Sequence, residues 1–248
     1  MINGKSIAIA IVDTHQHTLA ANALFHSIAN FEFDQVLIYS DSDAFWGPHQ
    51  IIKIDPIKSI SEYNEIIIKR LPLDLICDYV LVIQYDGFII NPEKFQNIFL
   101  EYDYIGAPWT HLKTNNVGNG GFSFRSKHLI SYVSKNPNIN FDTPEDVLIC
   151  QEMRENGLLS SFKFAPIEVA SQFSFEFPIA SHQTFGFHGI FNLPIMYRDN
   201  LDYLINNLPE KTIISKFDYL YPIINSLSKD HGNLISNKFA LAKGIQNA

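Results

Sequence analysis

Three features are scarce in this sequence of 248 residues: cysteine, positive charge and long apolar runs. The two cysteines, Cys77 and Cys150, have no C-x-x-C spacing, which argues against a disulfide framework or a zinc ribbon and favours free thiols in a reducing compartment. Lys and Arg number 18 against 26 Asp and Glu, and the net charge of −8 argues against general nucleic-acid binding. No run approaches the ~18 apolar residues of a membrane-spanning helix, so no such helix is predicted.

Core-forming residues, in contrast, are plentiful. Hydrophobic residues make up 46% of the chain, with 20 Phe and 11 Tyr, which is enough apolar surface to offset the entropy lost on folding. A chain of this length buries about three quarters of its surface, so one large globular domain is predicted. The apolar stretch Ser6–Val12 is too short for a secretory signal, and we interpret it as a first buried strand of a cytoplasmic protein.

Short apolar runs alternate with helical patterns through the first half of the chain. We predict strands at residues 5–12, 35–39, 50–54 and 78–84, and helices at residues 19–29, 60–71 and 92–100. This alternation is typical of a mostly parallel α/β sheet. Ligands gather at the carboxyl ends of such strands, so Asp13, Asp41 and Asp86 are candidate functional residues.

The second half is more mixed. We predict a glycine-rich turn and strand at 118–126, helices from 127 and at 144–156, and strand-like segments at 162–177 and 185–188. No repeat or linker interrupts the pattern. We therefore predict a single α/β domain over residues 1–208 and a helical appendage over residues 209–248. The appendage contains five Lys and three acidic residues.

The first strand ends in a histidine-rich motif, IVDTHQH. His15 and His17 would point to the same side of a strand and could hold a catalytic metal, as in amidohydrolase-type barrels. Such a site needs further ligands at later strand ends, which the other histidines do not clearly supply. A polar turn from strand to helix is the favoured interpretation, and a metal hydrolase using His15 and His17 is the alternative.

Two turns carry candidate ligand groups. Asp86 follows the most apolar strand and is a good oxygen ligand for Mg²⁺ or Mn²⁺, although Asp86-Gly87 is also common turn chemistry. The segment Gly118–Ser123 has three glycines in four residues, which permit close approach of a ligand to the backbone. It lacks the Gly-Lys-Ser/Thr of a phosphate-binding loop, and a tight bulged turn fits it equally well.

An acidic pair, Glu145 and Asp146, opens a predicted helix. Thr143 as a cap and Pro144 at the first helical position explain these residues structurally. One of the two carboxylates could instead face a cleft as a general base, with the helix N-terminus lowering its pKa and its neighbour raising it. His188, between aromatic residues in FGFHG, is ordinarily a core residue and becomes a ligand only if Asp86 needs one nearby.

Taken together, these segments resemble a bacterial glycosyltransferase-like family that is catalogued mainly as a domain of unknown function. The resemblance covers residues 5–190 and rests on the order of the motifs VLVIQYDGFIINPEKF, EYDYIGAPW, VGNGGFSFRS, PEDVLIC, FAPIEVASQFSFE and FGFHG. It implies a GT-A-type nucleotide-sugar transferase with a Rossmann-like, mixed and mostly parallel sheet flanked by helices. The implied activity is that of an inverting hexosyltransferase in surface polysaccharide biosynthesis.

The resemblance also implies site residues. Gln84-Tyr85-Asp86 stands where GT-A enzymes carry an Asp-x-Asp metal motif, so Asp86 and the late histidine His188 would hold Mn²⁺ or Mg²⁺. Asp146 matches the catalytic base of inverting enzymes, with Glu145 in reserve. The implied donor-binding residues are Asp13, Thr14, Asp41, Lys69, Gln84, Tyr85 and Asp86. The implied acceptor and sugar pocket contains Trp109, Asn119, Gly120 and Gly121.

The expected donor is a UDP-sugar and the expected acceptor a glycan or glycolipid, which places the enzyme in the cytoplasm with peripheral contact at the inner face of the membrane. No nucleic-acid partner is expected. A lysine such as Lys69 could reach the donor diphosphate or simply be solvated. The alternative function is a non-catalytic protein that binds a sugar nucleotide or glycan on the same fold, which Gln84 in place of the first aspartate favours.

Overall fold

The computed structural model describes residues 1–176 and 183–244 of the chain. Internal contacts divide the chain into two compact units, residues 1–188 and 189–248. The domain boundary predicted near residue 208 stays a prediction, and the last four residues of the predicted appendage lie outside the described ranges. Within those ranges, each helix is too short or too polar to cross a membrane.

A mixed sheet of six strands forms the centre of the described part of the first unit. In chain order its strands are β1 (Ile7–Val12), β2 (Gln35–Ser40), β3 (Ile52–Lys53), β4 (Tyr79–Ile83), β5 (Tyr104–Ile105) and β6 (Phe122–Ser126). Their spatial order is β3-β2-β1-β4-β6-β5, in which β6 runs antiparallel to both of its neighbours and the other pairs are parallel. The mixed, mostly parallel sheet that the sequence predicts is confirmed.

Helices cover both faces of the sheet because alternate residues of β1 project to opposite sides. The isoleucines of β1 pack in one core with α1 (His17–Asn30). Its alanines pack in a second core with a continuous helical segment made of α2 (Ile60–Glu65), a π-helical turn (Ile66–Arg70) and α3 (Leu71–Asp74). Burial on both faces explains why the strand reads as the uninterrupted apolar run IAIAIV.

The rest of the first unit is mainly helical. Its elements are α4 (Lys127–Ser134), α5 (Glu145–Val147), a π-helical turn (Leu148–Glu152), α6 (Met153–Glu155), α7 (Ile167–Phe173) and a small parallel sheet of β7 (Ser174–Phe175) and β8 (Gly186–Phe187). The helix predicted over 144–156 is therefore present, with a π-helical turn in its middle. The short strand predicted at 185–188 is β8.

Two predicted elements are wrong. Residues 92–100 form two 3-10 turns, Pro92–Lys94 and Asn97–Glu101, rather than one helix. Between them Phe95 is extended, with φ −60° and ψ 131°, and its ring packs edge-on against Phe185. Packing of this ring into the aromatic core interrupts the helix.

The second error concerns residues 162–177, whose many phenylalanines indicated a strand. Most of the described part of this segment is instead α7, with the two-residue β7 after it, and Phe177 lies outside the described residues. Pro166 precedes the first helical residue, and Phe173 on α7 is fully buried. The phenylalanines reflect the aromatic core rather than strand propensity, which depends strongly on context.

The described part of the second unit is helical. Its α-helices are α8 (Leu193–Met196), α9 (Leu201–Asn207), α10 (Glu210–Leu227) and α11 (Lys229–Ala242). The Ser228 hydroxyl caps α11 by accepting from the backbone N–H of His231. The rings of Phe217 and Phe239 stack with centroids 4.0 Å apart, which holds α10 and α11 together as a hairpin.

Candidate functional site

One edge of the central sheet collects most of the predicted site residues. The strands β1, β2 and β4 are parallel, so Asp13, Asp41 and the segment Gln84–Gly87 all follow them at this edge. The strand β6 is antiparallel to β4 and begins opposite Ile83, so the glycine-rich turn before Phe122 lies at the same edge. The strand order reverses direction between β1 and β4, which is where α/β sheets open a crevice for ligands.

The first group of residues at this edge consists of Asp13, Thr14, His17 and Asp41, which we call the β1–β2 cluster. Asp13 Oδ1 accepts hydrogen bonds from the backbone N–H groups of His15 (3.1 Å) and Gln16 (2.8 Å) at the start of α1. Burial raises the pKa of Asp13, and these N–H groups offset only part of the rise. Thr14 Oγ1 accepts from a backbone N–H at 2.9 Å. Asp13 is therefore engaged by the turn itself, and Thr14 by the backbone N–H of Ile57.

The rest of the β1–β2 cluster pairs an imidazole with a carboxylate. His17 Nε2 lies 2.7 Å from Asp41 Oδ1, and the Asp41 carbonyl accepts from Lys53 Nζ. The ring of His17 stacks on Phe45 with centroids 4.9 Å apart, and Phe45 is 41% exposed. An exposed aromatic ring beside a carboxylate is a suitable platform for a planar heterocycle.

His15 and His17 have separate partners. His15 Nε2 lies 2.6 Å from the carbonyl oxygen of Ile57, whereas His17 is engaged by Asp41. Among the residues that the structure describes, no group of three or more His, Cys, Asp or Glu side chains is arranged to hold a metal ion. The geometry therefore lends no support to a metal hydrolase built on these two histidines.

The second group consists of Asp86, Asn119, Glu176 and His188, which we call the His188 cluster. His188 lies between two carboxylates, with Nε2 at 3.5 Å from Asp86 Oδ1 and Nδ1 at 3.5 Å from Glu176 Oε1. Asn119 Nδ2 donates to Glu176 Oε2 (2.8 Å) and lies 2.9 Å from His188 Nδ1. Asn119 holds this position from a left-handed backbone conformation, with φ 60°.

The two carboxylates decide the charge of the imidazole. Burial by itself lowers the pKa of His188, but Asp86 and Glu176 outweigh burial and raise that pKa to about 10. Burial raises the pKa of Glu176, yet His188 and Asn119 bring it below its ordinary value. The His188–Glu176 pair is therefore ionised at neutral pH.

The residues of the His188 cluster fit a divalent cation. Asp86 Oδ1 is buried without a hydrogen-bond partner and faces His188 Nε2. If the imidazole gives up its Nε2 proton as the ion binds, this carboxylate oxygen and this imidazole nitrogen would be two ligands of one divalent cation. Glu176 beside the other ring nitrogen is the kind of partner that orients a metal-binding histidine. Gln84 adds no charge, and its Nε2 donates to the Tyr63 hydroxyl at 2.9 Å.

The two carboxylates of the acidic pair at the start of α5 have different hydrogen-bond partners. Asp146 is half-buried, and its Oδ2 accepts from the backbone N–H of Gly120 (2.9 Å) while its Oδ1 accepts from that of Val147 (2.8 Å). Glu145 is buried, and its Oε1 accepts from Arg125 Nη2 at 2.8 Å. Burial raises the pKa of Glu145, and Arg125 opposes the rise. Both carboxylates lie beside the glycine-rich turn, and Asp146 is the one that accepts a hydrogen bond from a backbone N–H of the turn.

Gly120 and Gly121 are where the separate groups meet. A Cβ added to Gly121 would overlap His188 Nε2 and lie 2.8 Å from Gln84 Oε1. A Cβ added to Gly120 would overlap Glu145 Oε1. The absence of side chains in this turn therefore lets His188 lie against Gly121 and Glu145 against Gly120. Asp146 joins the group through the Gly120 N–H, and Asp86 joins it through His188, 3.5 Å away.

Three other residues that were predicted for the site lie outside the two clusters: Lys69, Trp109 and Tyr85. Lys69 Nζ donates to the carbonyls of Ser134 (2.6 Å) and Asn136 (3.3 Å), so the structure places it at the end of α4 and not in the His188 cluster. Trp109 is buried with its ring against Gly118, and the half-buried Tyr85 packs against the hydrophobic core. Neither ring is part of the two clusters.

Three residues near the site, Tyr63, Arg125 and Glu176, are absent from the predicted site residues, although Arg125 and Glu176 lie within two of the motifs. Arg125 carries a signal that could have found it, because a charged residue at a buried position of a strand needs a partner. Tyr63 carries no such signal, and Glu176 stands in the motif FAPIEVASQFSFE without a residue pattern that marks it as a partner of His188. They reach the site only through tertiary structure.

Among solved structures, the chain is similar to glycosyltransferases of the GT-A fold. The mannosyltransferase PcManGT from Pyrobaculum calidifontis, solved with GDP-Man and Mn²⁺, has 7% sequence identity and a TM-score of 0.50 over 98% of this chain and 76% of that one. A glycosyltransferase involved in glycosylation of the major capsid of PBCV-1 has 10% identity and a TM-score of 0.49 over 75% and 93% of the two chains. Glucosyl-3-phosphoglycerate synthase from Mycobacterium tuberculosis has 11% identity and a TM-score of 0.42 over 65% and 68%. At these identities the likeness shows the fold, which is that of GT-A glycosyltransferases.

The family follows from the sequence itself. The model of the family described as Protein of unknown function (DUF5672) matches residues 49–188, more than half of the chain, so the chain belongs to this family. The match spans Gln84–Gly87, the glycine-rich turn, the acidic pair and His188. No curated protein matches the sequence.

Proposed function

We propose that the protein is a glycosyltransferase that moves a sugar from a nucleotide-sugar donor to a hydroxyl group of a glycan or glycolipid acceptor. The observation that carries this proposal is the gathering of Asp86, Asp146 and His188 around Gly120 and Gly121, at the carboxyl edge of a sheet with the GT-A fold. A carboxylate for the acceptor and a cation-binding pair for the diphosphate are what such a transfer requires.

The donor would span the two clusters of the sheet edge. The β1–β2 cluster offers the exposed ring of Phe45 and the carboxylate of Asp41 to a nucleoside, and we propose UDP as the nucleotide. The His188 cluster would then receive the diphosphate. PcManGT was solved with GDP-Man and Mn²⁺, which supports testing a nucleotide sugar and a divalent cation here.

The residues of the chain account for the main chemical demands of the transfer. Asp86 and His188 are the residues that would hold Mn²⁺ or Mg²⁺, and the ion, when bound, supplies positive charge for the departing diphosphate. Asp146 is the proposed base, because the backbone N–H groups of Gly120 and Val147 fix its half-buried carboxylate beside the glycine-rich turn. It takes the proton of the acceptor hydroxyl while the oxygen attacks the anomeric carbon and the bond to the diphosphate breaks. Attack opposite the leaving group inverts the anomeric configuration.

The proposal includes a cellular setting. The acceptor would be a precursor of a surface polysaccharide, and the reaction would take place in the cytoplasm at the inner face of the membrane. The two cysteines, Cys77 and Cys150, are buried free thiols, which is compatible with a reducing compartment.

A second candidate function has one observation in its favour. Gln84 stands where a first metal-binding carboxylate is expected, and its amide is held by the Tyr63 hydroxyl. With one carboxylate at the strand end, the site could bind a sugar nucleotide without turning it over. This alternative is a non-catalytic protein that binds a sugar nucleotide or glycan.

Turnover of a donor panel separates the two functions. We would incubate the protein with UDP- and GDP-sugars, glycan and glycolipid acceptors, and Mn²⁺ or Mg²⁺, and would measure both nucleotide release and glycosylated product. Binding of a nucleotide sugar by calorimetry without any product would support the binding protein and contradict the enzyme. The anomeric configuration of a product, read by NMR, tests inversion.

The variant Asp146→Asn tests the role of the base. Loss of a general base lowers kcat by about 10³-fold, and we expect a fall of that order with little change in KM. The matched control is Asp142→Asn, because Asp142 is exposed and lies only four positions earlier. If Asp146→Asn turned over like the wild type, Asp146 would be removed from the mechanism.

A further inference from the structure

Arg125 and Glu145 form a buried ion pair next to Asp146, the proposed base. Arg125 on β6 has 0% of its surface exposed, and its partner Glu145 is almost as deeply buried. Arg125 Nη2 lies 2.8 Å from Glu145 Oε1, and the guanidinium carbon sits 5.2 Å from the ring centre of Tyr104. Burial lowers the pKa of Arg125 but Glu145 more than restores it, so the pair stays charged.

The same pair holds the backbone of the glycine-rich turn. Arg125 Nη2 also donates to the Gly120 carbonyl (3.2 Å), and Arg125 Nε donates to Ser123 Oγ (2.8 Å). Ser123 Oγ in turn donates to the Gly120 carbonyl at 3.0 Å. The planar guanidinium therefore fixes three acceptors at once, which a lysine ammonium on a flexible stem could not reproduce.

Gly120 connects this network to the site. Its carbonyl is held by Arg125 and Ser123, while its N–H donates to Asp146 Oδ2. The side of Gly120 that lacks a Cβ lies directly against Glu145 Oε1. A shift of the ion pair would consequently move the peptide that orients the Asp146 carboxylate.

A buried ion pair is a poor way to gain stability, since apolar residues of the same volume often do as well or better. The ion pair is better explained if it holds the glycine-rich turn of the candidate site in place. We propose that Arg125 and Glu145 are positioning residues that fix Gly120 and, through its N–H, set the orientation of Asp146. This inference rests on the proposed transferase function, and it makes Glu145 a partner of the base rather than its substitute.

The variant Arg125→Lys keeps the positive charge but removes the planar guanidinium group that bonds Glu145, Gly120 and Ser123 at once. With Asp146 held less well, we expect kcat to fall by about 100-fold, as displacements near 1 Å can produce, while KM for the donor changes little. Glu145→Gln retains an acceptor oxygen for Arg125 and should lose less than Arg125→Lys. The matched control is Arg154→Lys, since Arg154 packs over the Phe164 ring at 4.2 Å and donates to the Cys150 carbonyl, contacts that include no residue of either cluster, and it should keep wild-type kcat.

A second measurement does not depend on turnover. Hydrogen exchange of the Gly120 amide, which donates to Asp146, should accelerate in Arg125→Lys and stay slow in Arg154→Lys. If wild-type protein transfers no sugar, the proposed function fails, and the Gly120 amide still decides whether the pair positions the turn. If wild-type protein is active and Arg125→Lys keeps both its kcat and its Gly120 protection, the inference is overturned and the function stands.

Arg125→Lys could fail to fold, so a milder variant accompanies it. Ser123→Ala removes one of the two donors to the Gly120 carbonyl and leaves the ion pair in place. A lower kcat at unchanged KM, with faster Gly120 exchange, supports the inference. Unchanged kcat and unchanged exchange in a folded Ser123→Ala protein, with Arg125→Lys unfolded, count against it.

Discussion

The β1–β2 cluster and the His188 cluster lie at the same edge of one sheet but differ in how well their polar atoms are satisfied. In the first, the side chains of Asp13, Thr14 and Asp41 are all engaged: Asp13 by the backbone of its own turn, Thr14 by the backbone N–H of Ile57, and Asp41 by the ring of His17. Around the second, the described residues include several buried polar atoms without a hydrogen-bond partner: Asp86 Oδ1, Asn119 Oδ1, Arg125 Nη1 and Glu145 Oε2. Native proteins leave few such atoms, and those that occur need an explanation.

This difference distinguishes polar side chains whose hydrogen bonds stabilise the fold from polar side chains that are available to bind a ligand. The carboxylate of Asp13 closes the turn before α1 by accepting from the N–H groups of His15 and Gln16, and a carboxylate used in that way is explained by local structure. Asp86 has no such local use: its Oδ1 accepts no hydrogen bond from its own turn and faces His188 Nε2 at 3.5 Å. An aspartate at a strand end is therefore informative about function only when the structure shows what else it bonds.

The largest expected effect comes from breaking the buried ion pair between Arg125 and Glu145, which we compare with the partly exposed pair between His17 and Asp41. Glu145→Leu leaves the Arg125 cation buried without its partner and should lower the free energy of unfolding by about 3–5 kcal/mol. Asp41→Asn, which weakens the partly exposed contact with His17, should lower it by less than about 1 kcal/mol. Urea unfolding at pH 7 measures both.

The double variant Arg125→Met/Glu145→Leu is the control for that comparison. Replacing both charges by apolar groups should recover much of the stability lost in Glu145→Leu, because no buried charge remains. Equal losses for Glu145→Leu and Asp41→Asn would show that the two regions do not differ in the way their burial suggests.

A smaller effect is expected from filling space beside His188. In Gly121→Ala the new methyl group overlaps His188 Nε2, so the imidazole has to move away from Asp86. We expect turnover to fall by about 100-fold and affinity for UDP with Mn²⁺ to weaken, with a modest loss of stability. Gly4→Ala is a useful contrast, because Gly4 has φ +75° and open space around it, so its substitution carries a backbone cost alone. Wild-type turnover in Gly121→Ala would contradict the proposed use of His188.

The smallest effect concerns the pH dependence of the β1–β2 cluster. Burial raises the pKa of Asp13 above its ordinary value of 3.8, so this group contributes stability that is complete below that value and is lost as the pH rises through the raised pKa. Asp13→Asn retains an acceptor for the turn and has no such loss. The free energy of unfolding of the variant relative to wild type should therefore increase from pH 3 to pH 7, in urea titrations at each pH. A constant difference would show that burial does not perturb Asp13.

Secondary structure was predictable where a single physical cause dominates. The apolar runs of β1 and β4 are buried on both faces and admit one interpretation. The segments around Phe95 and α7 were mispredicted because their phenylalanines serve an aromatic core, and local patterns do not report which neighbours a ring will meet. Lys69 was expected at the diphosphate, but its ammonium group instead bonds the carbonyls at the end of α4.

The amino-acid sequence alone was enough for the strands β1 to β4 and β6, for the order of the motifs and for the kinds of side chain at the strand ends, because hydrophobic periodicity and turn chemistry act over a few neighbouring residues. Only the tertiary structure decided that Glu145 turns inward to Arg125 while Asp146 meets Gly120, and that Glu176 and Asn119 hold His188 against Asp86. These contacts join residues far apart in the chain, and their geometry depends on how closely the backbone can approach at two glycines. Such distances arise from packing in three dimensions, and short-range sequence patterns do not encode them.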